Sequence, residues 1–163
     1  MAFVVEDGTG LAEANAYIDV AYADAYFADR GIAAWTGDAS AKEQAIVRAT
    51  DYVDTVWGSR FRGGKSSQEQ PLEWPRSAFD GLPAALVKAT AEYAVRALST
   101  TLLPDPEVSA SGAMVIETSS KVGPIEESFK YSEAAGIDLI KPYPAADNLL
   151  LTLCRTRGTV IRN

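Results

Sequence analysis

The residue types richest in chemistry lie between Trp57 and Arg76, where Trp57, Phe61 and Trp74 interleave with Arg60, Arg62, Lys65 and Arg76. Aromatic rings that stack on bases, beside cations that meet phosphates, are how proteins hold single-stranded nucleic acid. The same residue types are also enriched at protein–protein hot spots. Two tryptophans can equally cover the edge of a core while the arginines meet carboxylates of acidic helices or of a partner. Glu69 and Glu73 leave the stretch only weakly basic, which favours this second reading. On it, the candidate partner contacts are Arg60, Phe61, Arg62, Trp74 and Arg76, joined near the C-terminus by Val160, Ile161 and Arg162.

Other constellations carry less. Ser59-Arg60-Phe61-Arg62-Gly63-Gly64-Lys65-Ser66 approaches the phosphate-cradling pattern G-x-x-x-x-G-K-S/T, but a serine stands where the first glycine belongs. A helix rather than a strand precedes it, and Ser67-Gln68-Glu69-Gln70-Pro71 cannot open a good helix, so a flexible glycine-rich loop is expected. Asp51 and Asp54, three apart on a helix, have the spacing for acid–base or metal chemistry, but such pairs are more often solvated surface. Ser119-Ser120-Lys121 places serine and lysine on opposite faces of a strand, the wrong geometry for a lysine-activated nucleophile. Cys154 is the one cysteine and reads as core, and there is no histidine. The commonest general base and metal ligand is therefore missing. The expectation is a non-enzymatic protein with no catalytic or metal residues and no cofactor.

Charge and length narrow the class further. The chain of 163 residues suits one domain. Its net charge of −7 argues against a general nucleic-acid binder. Residues 1–54 hold ten acids against three bases (Arg30, Lys42, Arg48), whereas 57–76 is basic. No apolar run reaches the ~20 residues of a membrane span. The N-terminus lacks the pattern of a secretory signal, so a cytoplasm-like compartment is expected until a larger assembly takes the chain up.

Helices must position these residues. Asp19 is a suitable N-cap for a first helix, with Val20, Ala23 and Phe27 on one face and Arg30-Gly31 at its end. Ser40 with Glu43 reads as a capping box opening a second helix along Ile46, Ala49, Val53 and Val56, ended by Gly58. A third begins near Pro83, carries Leu86, Ala89, Tyr93 and Ala97, and stops before Pro104-Asp105-Pro106. Val115-Ile116-Glu117-Thr118 and the alternating Glu127, Phe129 and Tyr131 read as strands about a turn at Gly123-Pro124. A fourth helix from about Asp147 bears Leu149, Leu150, Leu153 and Cys154, with Arg155 and Arg157 at its negative end and Gly158 as cap. The predicted fold is mainly α, a short bundle of three to four helices with a small β-hairpin and an extended tail. It comprises a helical core over 1–103 with a loop at 58–82, a hairpin at 113–132, a helix at 146–158 and a tail at 159–163.

Several stretches in order resemble a known group. They are Val5-Glu6-Asp7-Gly8-Thr9-Gly10, Ala14-Asn15-Ala16-Tyr17, Ala23-Asp24-Ala25-Tyr26-Phe27, Arg48-Ala49-Thr50-Asp51-Tyr52-Val53-Asp54, Leu72-Glu73-Trp74-Pro75-Arg76 and Lys121-Val122-Gly123-Pro124-Ile125. The set is similar to small phage and prophage proteins labelled DnaT-like single-strand-binding proteins, and the layout to tailed-phage head–tail connector, or adaptor, proteins. The label implies a replication accessory that binds single-stranded DNA. The architecture implies a structural subunit of the virion neck. Such a subunit forms a ring with itself, typically a dodecamer, between the portal protein and a tail-side stopper or tail-completion protein. Genomic DNA would pass through its lumen during packaging and ejection, without sequence-specific binding or membrane contact. Because an acidic conduit repels phosphate, the adaptor is the expectation and the single-strand binder the alternative.

Overall fold

A computed structural model describes residues 2–105, 115–121, 126–131 and 141–155. The chain divides into two compact units, Met1–Leu102 with Pro142–Asn163, and Leu103–Lys141. The fold is mainly helical, with four α-helices among the described residues: α1 (Val20–Ala28), α2 (Ala39–Trp57), α3 (Ala84–Ala97) and α4 (Pro144–Leu151). All four belong to the first unit.

Helix α1 starts where its cap predicts: the Asp19 carboxylate accepts from the Tyr22 amide at 2.6 Å. Gly31, at φ 63°, turns the chain away after it. Nine residues make a marginal helix on their own, so α1 is held from outside. Phe27 packs on Trp35 with ring centroids 5.2 Å apart, and the Tyr26 hydroxyl donates to Glu92 of α3 at 3.0 Å.

Helix α2 corrects its expected start. Asp38, not Ser40, is the N-cap, its carboxylate accepting from the Ala41 amide at 2.8 Å. A carboxylate outcompetes a hydroxyl at the positive end of a helix, and Ser40 Oγ instead accepts from Gln44 at 3.3 Å. Ile46, Ala49 and Val53 are buried as the spacing requires, and so are Tyr52 and Trp57. Gly58 caps α2 in a right-handed conformation, so the chain runs on into the 3-10 turn Gly58–Arg60. Pro83 is the extended N-cap of α3 rather than its first helical residue.

The core forms where α2, α3 and α4 meet. Tyr52, Tyr93 and Tyr143 make an aromatic triangle with centroids 4.8, 6.0 and 5.8 Å apart, each such pair adding about 1 kcal/mol beyond burial. The Tyr93 hydroxyl donates to Asp147 at 2.5 Å, and the other oxygen of Asp147 accepts from the Tyr143 amide at 2.7 Å. Asp147 therefore closes the first turn of α4 from inside it, whereas the sequence places the helix start at about Asp147. Helix α4 also ends earlier than residue 158. Beyond Leu151 the backbone turns back to pair with Phe61, which takes the groups a longer helix would need.

The motif Val5–Gly10 has a structural cause. Glu6, 2% exposed, accepts from the amides of Gly8, Gly10 and Leu11 at 2.8–2.9 Å. Gly8 and Gly10 have φ of 97° and 88°, which glycine adopts readily. The segment is tied down by a parallel bridge between Val5 and Ala16.

In the second unit the backbone of Val115–Lys121 and of Glu126–Tyr131 is extended. The expected turn at Gly123-Pro124 lies outside the described residues, as do Arg157, Gly158 and the tail 159–163.

Candidate nucleic-acid interface

The loop between α2 and α3 is densely hydrogen-bonded rather than a slack glycine-rich segment. The Arg76 guanidinium, with the residue 5% exposed, donates to the carbonyls of Arg62, Gly63 and Glu73 at 3.1, 2.7 and 3.3 Å, and to the Glu73 carboxylate at 2.6 Å. The Gln70 amide donates to the carbonyls of Leu72 and Pro75, both at 3.0 Å. Phe61 and Trp74 are fully buried against each other, centroids 5.2 Å apart. The Trp74-Pro75 peptide bond is cis.

A polar network clamps this loop to the helices. The half-buried Asp54 accepts from the Tyr17 hydroxyl through one oxygen, and from the Glu73 amide at 2.9 Å through the other. The Tyr17 oxygen in turn accepts from the Trp74 amide at 3.2 Å. Burial pushes the Asp54 carboxyl up to about 6, against the pull of the Tyr17 and Glu73 donors. Burial, and then the Asp54 charge, raises the Tyr17 phenol. Asp54 is thus a fastener for the loop, not the solvated surface acid its spacing suggests, while Asp51 stays exposed.

The candidate contact residues separate accordingly. Phe61, Trp74 and Arg76 are spent inside the loop. Lys65 lies 3.4 Å from Glu73. Arg60 and Arg62 are exposed. Val160, Ile161 and Arg162 lie outside the described residues.

Two further residues join Arg60 and Arg62. The segment after α4 pairs antiparallel with the loop through Phe61 and Cys154. The Arg62 amide donates to Leu153 at 3.1 Å and the Arg155 amide to Arg60 at 2.9 Å. This register sets Arg155 opposite Arg60, so both arginines sit at one bridge. The Arg60 guanidinium lies 5.1 Å from the centre of the Trp57 ring. That of Arg62 lies 4.9 Å from the half-buried Phe79 ring and donates to the Thr152 carbonyl at 3.1 Å. Burial raises the Cys154 thiol, and the Arg60 and Arg62 charges pull it the other way. Among the described residues no carboxylate pairs with Arg60, Arg62 or Arg155. Sequence spacing missed Arg155, which reads as a partner for the α4 dipole, and Phe79, which belongs to no periodic pattern.

The result is a small, mainly helical protein whose hydrogen-bonded loop displays arginines that no carboxylate among the described residues pairs with. The chain belongs, over residues 1–163, to the family described as "Putative DnaT-like ssDNA binding protein". No curated protein and no solved structure matches it.

The family match overturns the head–tail connector expectation, with its ring, portal contact and part in packaging and ejection, since it points to single-strand binding. Net charge averages over a surface and does not locate the charges. A protein of net charge −7 can still attract phosphate locally, where cations are set together without paired carboxylates among the described residues. No helix among the described residues is long and apolar enough to cross a membrane.

Proposed function

We propose that this protein is a non-catalytic replication accessory that binds single-stranded DNA through Arg60, Arg62 and Arg155. One observation carries the reading: Arg155, 95 residues after Arg60, is set opposite it at one backbone bridge, and among the described residues no carboxylate pairs with Arg60, Arg62 or Arg155. Guanidinium groups pair with phosphate oxygens in a planar, bidentate manner. Phe79, packed against Trp74 at 4.9 Å, holds the Arg62 guanidinium over its ring and so helps to orient that cation. The proposed fold keeps the β-hairpin expected over 113–132 and the tail expected over 159–163, with Val160, Ile161 and Arg162 as candidate contacts of the tail. The acids of residues 1–54 discourage wrapping and favour a short site of a few nucleotides.

Fluorescence anisotropy with a labelled oligodeoxythymidine, titrated across salt, tests this. Three phosphate contacts on a single strand give a log–log salt slope of about −2. Replacing Arg60, Arg62 and Arg155 together with Gln should flatten the slope and abolish binding. An unchanged slope in that variant, or no binding by the wild type at low salt, refutes the proposal.

A further inference from the structure

On α2, away from the arginine patch, Ser40, Glu43, Val47 and Asp51 recur at spacings of three and four and so share one stripe. Two cavities open over this stripe. One, of about 530 Å³, is walled by Val4, Ala14, Pro71 and Leu72 with Asp51 and Glu13. The other, of about 380 Å³, has Phe3 and Val47 with Glu43 and Arg48. Both share Ala2 and Asn15 in their walls, so they flank one segment. That segment is pinned: Asn15 accepts from the Val4 amide at 3.0 Å and donates to the Ala2 carbonyl at 2.7 Å.

The groove wall carries a net negative charge, with the three carboxylates Glu13, Glu43 and Asp51 against the one guanidinium of Arg48. Among the described residues, Glu13, Glu43 and Asp51 have no cation partner. The guanidinium of Arg48, the base in the wall, is committed to the Ala97 carbonyl at 2.8 Å. Along the helix the stripe from Ser40 to Asp51 runs roughly 16 Å at 1.5 Å per residue, the length of three turns of a docked helix.

We infer that this groove is a docking site for a basic amphipathic peptide segment of a partner protein, whose apolar side chains enter the two cavities and whose lysines or arginines meet Glu13, Glu43 and Asp51. Apolar anchors in a groove, set by charge at its rim, are the usual grammar of helix-in-groove recognition. Nucleic acid is excluded by the sign of the charge. Polar duties therefore separate: DNA on the cationic bridge, a basic protein on the acidic groove.

The test uses the full chain and a fluorescein-labelled twelve-residue Leu/Lys peptide of amphipathic helical pattern. The wild type should bind it with a salt-sensitive affinity, and a matched Leu/Glu peptide should not bind. The double variant Glu43→Lys/Asp51→Lys should bind at least about tenfold more weakly. The double variant Asp29→Lys/Asp80→Lys, which changes the net charge equally at exposed sites elsewhere, should bind as the wild type does. Equal loss in both double variants would show attraction by net charge and overturn the proposal, as would equal binding of the Leu/Glu peptide. Sedimentation settles the rival occupant: wild-type self-association abolished by Glu43→Lys/Asp51→Lys would assign the groove to a second copy and also overturn it. Retention of oligonucleotide binding by Glu43→Lys/Asp51→Lys keeps this result separable from the DNA proposal.

Discussion

Asp54 makes the stability of the fold rise on mild acidification, against the usual trend. Its carboxyl titrates at about 6 in the folded chain against an ordinary 3.8. The folded state therefore holds more protons than the unfolded state between these values, and stability is gained as pH falls through that window. A shift of this size gives a full gain of about 3 kcal/mol, of which roughly 1 kcal/mol is realised between about pH 7 and pH 5. Asp7 and Asp24, whose carboxyls are lowered by hydrogen bonds from Thr9 and from Lys42 respectively, oppose this only below their ordinary 3.8. Asp51, exposed at its tip but partly shielded by the protein around it, is raised and acts in the same direction as Asp54, so the informative quantity is a difference between proteins. Asp54→Asn removes the titration, and its amide can accept from Tyr17 or from Glu73 but not both. Urea denaturation followed by tryptophan fluorescence at the two pH values provides the measurement. The wild-type advantage over Asp54→Asn should widen by about 1 kcal/mol at the lower pH. Parallel shifts of the two proteins would refute the assignment of Asp54 as the buried clamp.

Three other outcomes follow from the packing. Gly63→Ala should destabilise the fold by about 2 kcal/mol in denaturant, because φ is 73° and a Cβ would lie 2.8 Å from Ala78 Cβ and its amide nitrogen. Glu6→Ala should cost roughly 3 kcal/mol, since the amides of Gly8, Gly10 and Leu11 lose their shared acceptor; an unchanged melting midpoint would contradict the role given to the motif. Tyr93→Phe should cost about 1 kcal/mol through the lost bond to Asp147, read as a shift in urea midpoint with no change in oligonucleotide affinity.

Helix positions were legible wherever a period and a cap coincided. Asp19 and the stripes through Ile46 and Leu86 show this, because an amphipathic helix has one way to bury its face. The caps of α2 and α4 were less so. Asp38 and Ser40 both suit the role, and only tertiary context sends the Asp147 side chain back to Tyr143 and across to Tyr93. The loop was misread for the same reason. A count of basic residues cannot show that Arg76 would spend its guanidinium on three carbonyls and Glu73, nor that Phe61 and Trp74 would pack inward. The patch was least visible, because Arg155 is set opposite Arg60 only through a pairing across 95 residues of sequence, and no local pattern encodes such a meeting. Net charge misled for a related reason: it carries no information about where the charges lie.

The division of the chain has a kinetic meaning. Helix α4 and the bridge at Cys154 belong with α2 and α3, yet the whole of 103–141 must be synthesised before they can dock. The excursion leaves and returns at neighbouring points, since the Tyr143 hydroxyl reaches the Leu102 carbonyl at 3.4 Å. Closing it is an entropic toll on assembly, and each halving of its length lowers that toll by only about 0.6 kcal/mol. The arginine patch is thus a late product of folding: Arg60 and Arg62 are laid down early, but the third cation arrives when the loop closes. Single-strand binding would then report a completed fold, and a nascent chain lacking α4 would carry two of the three arginines.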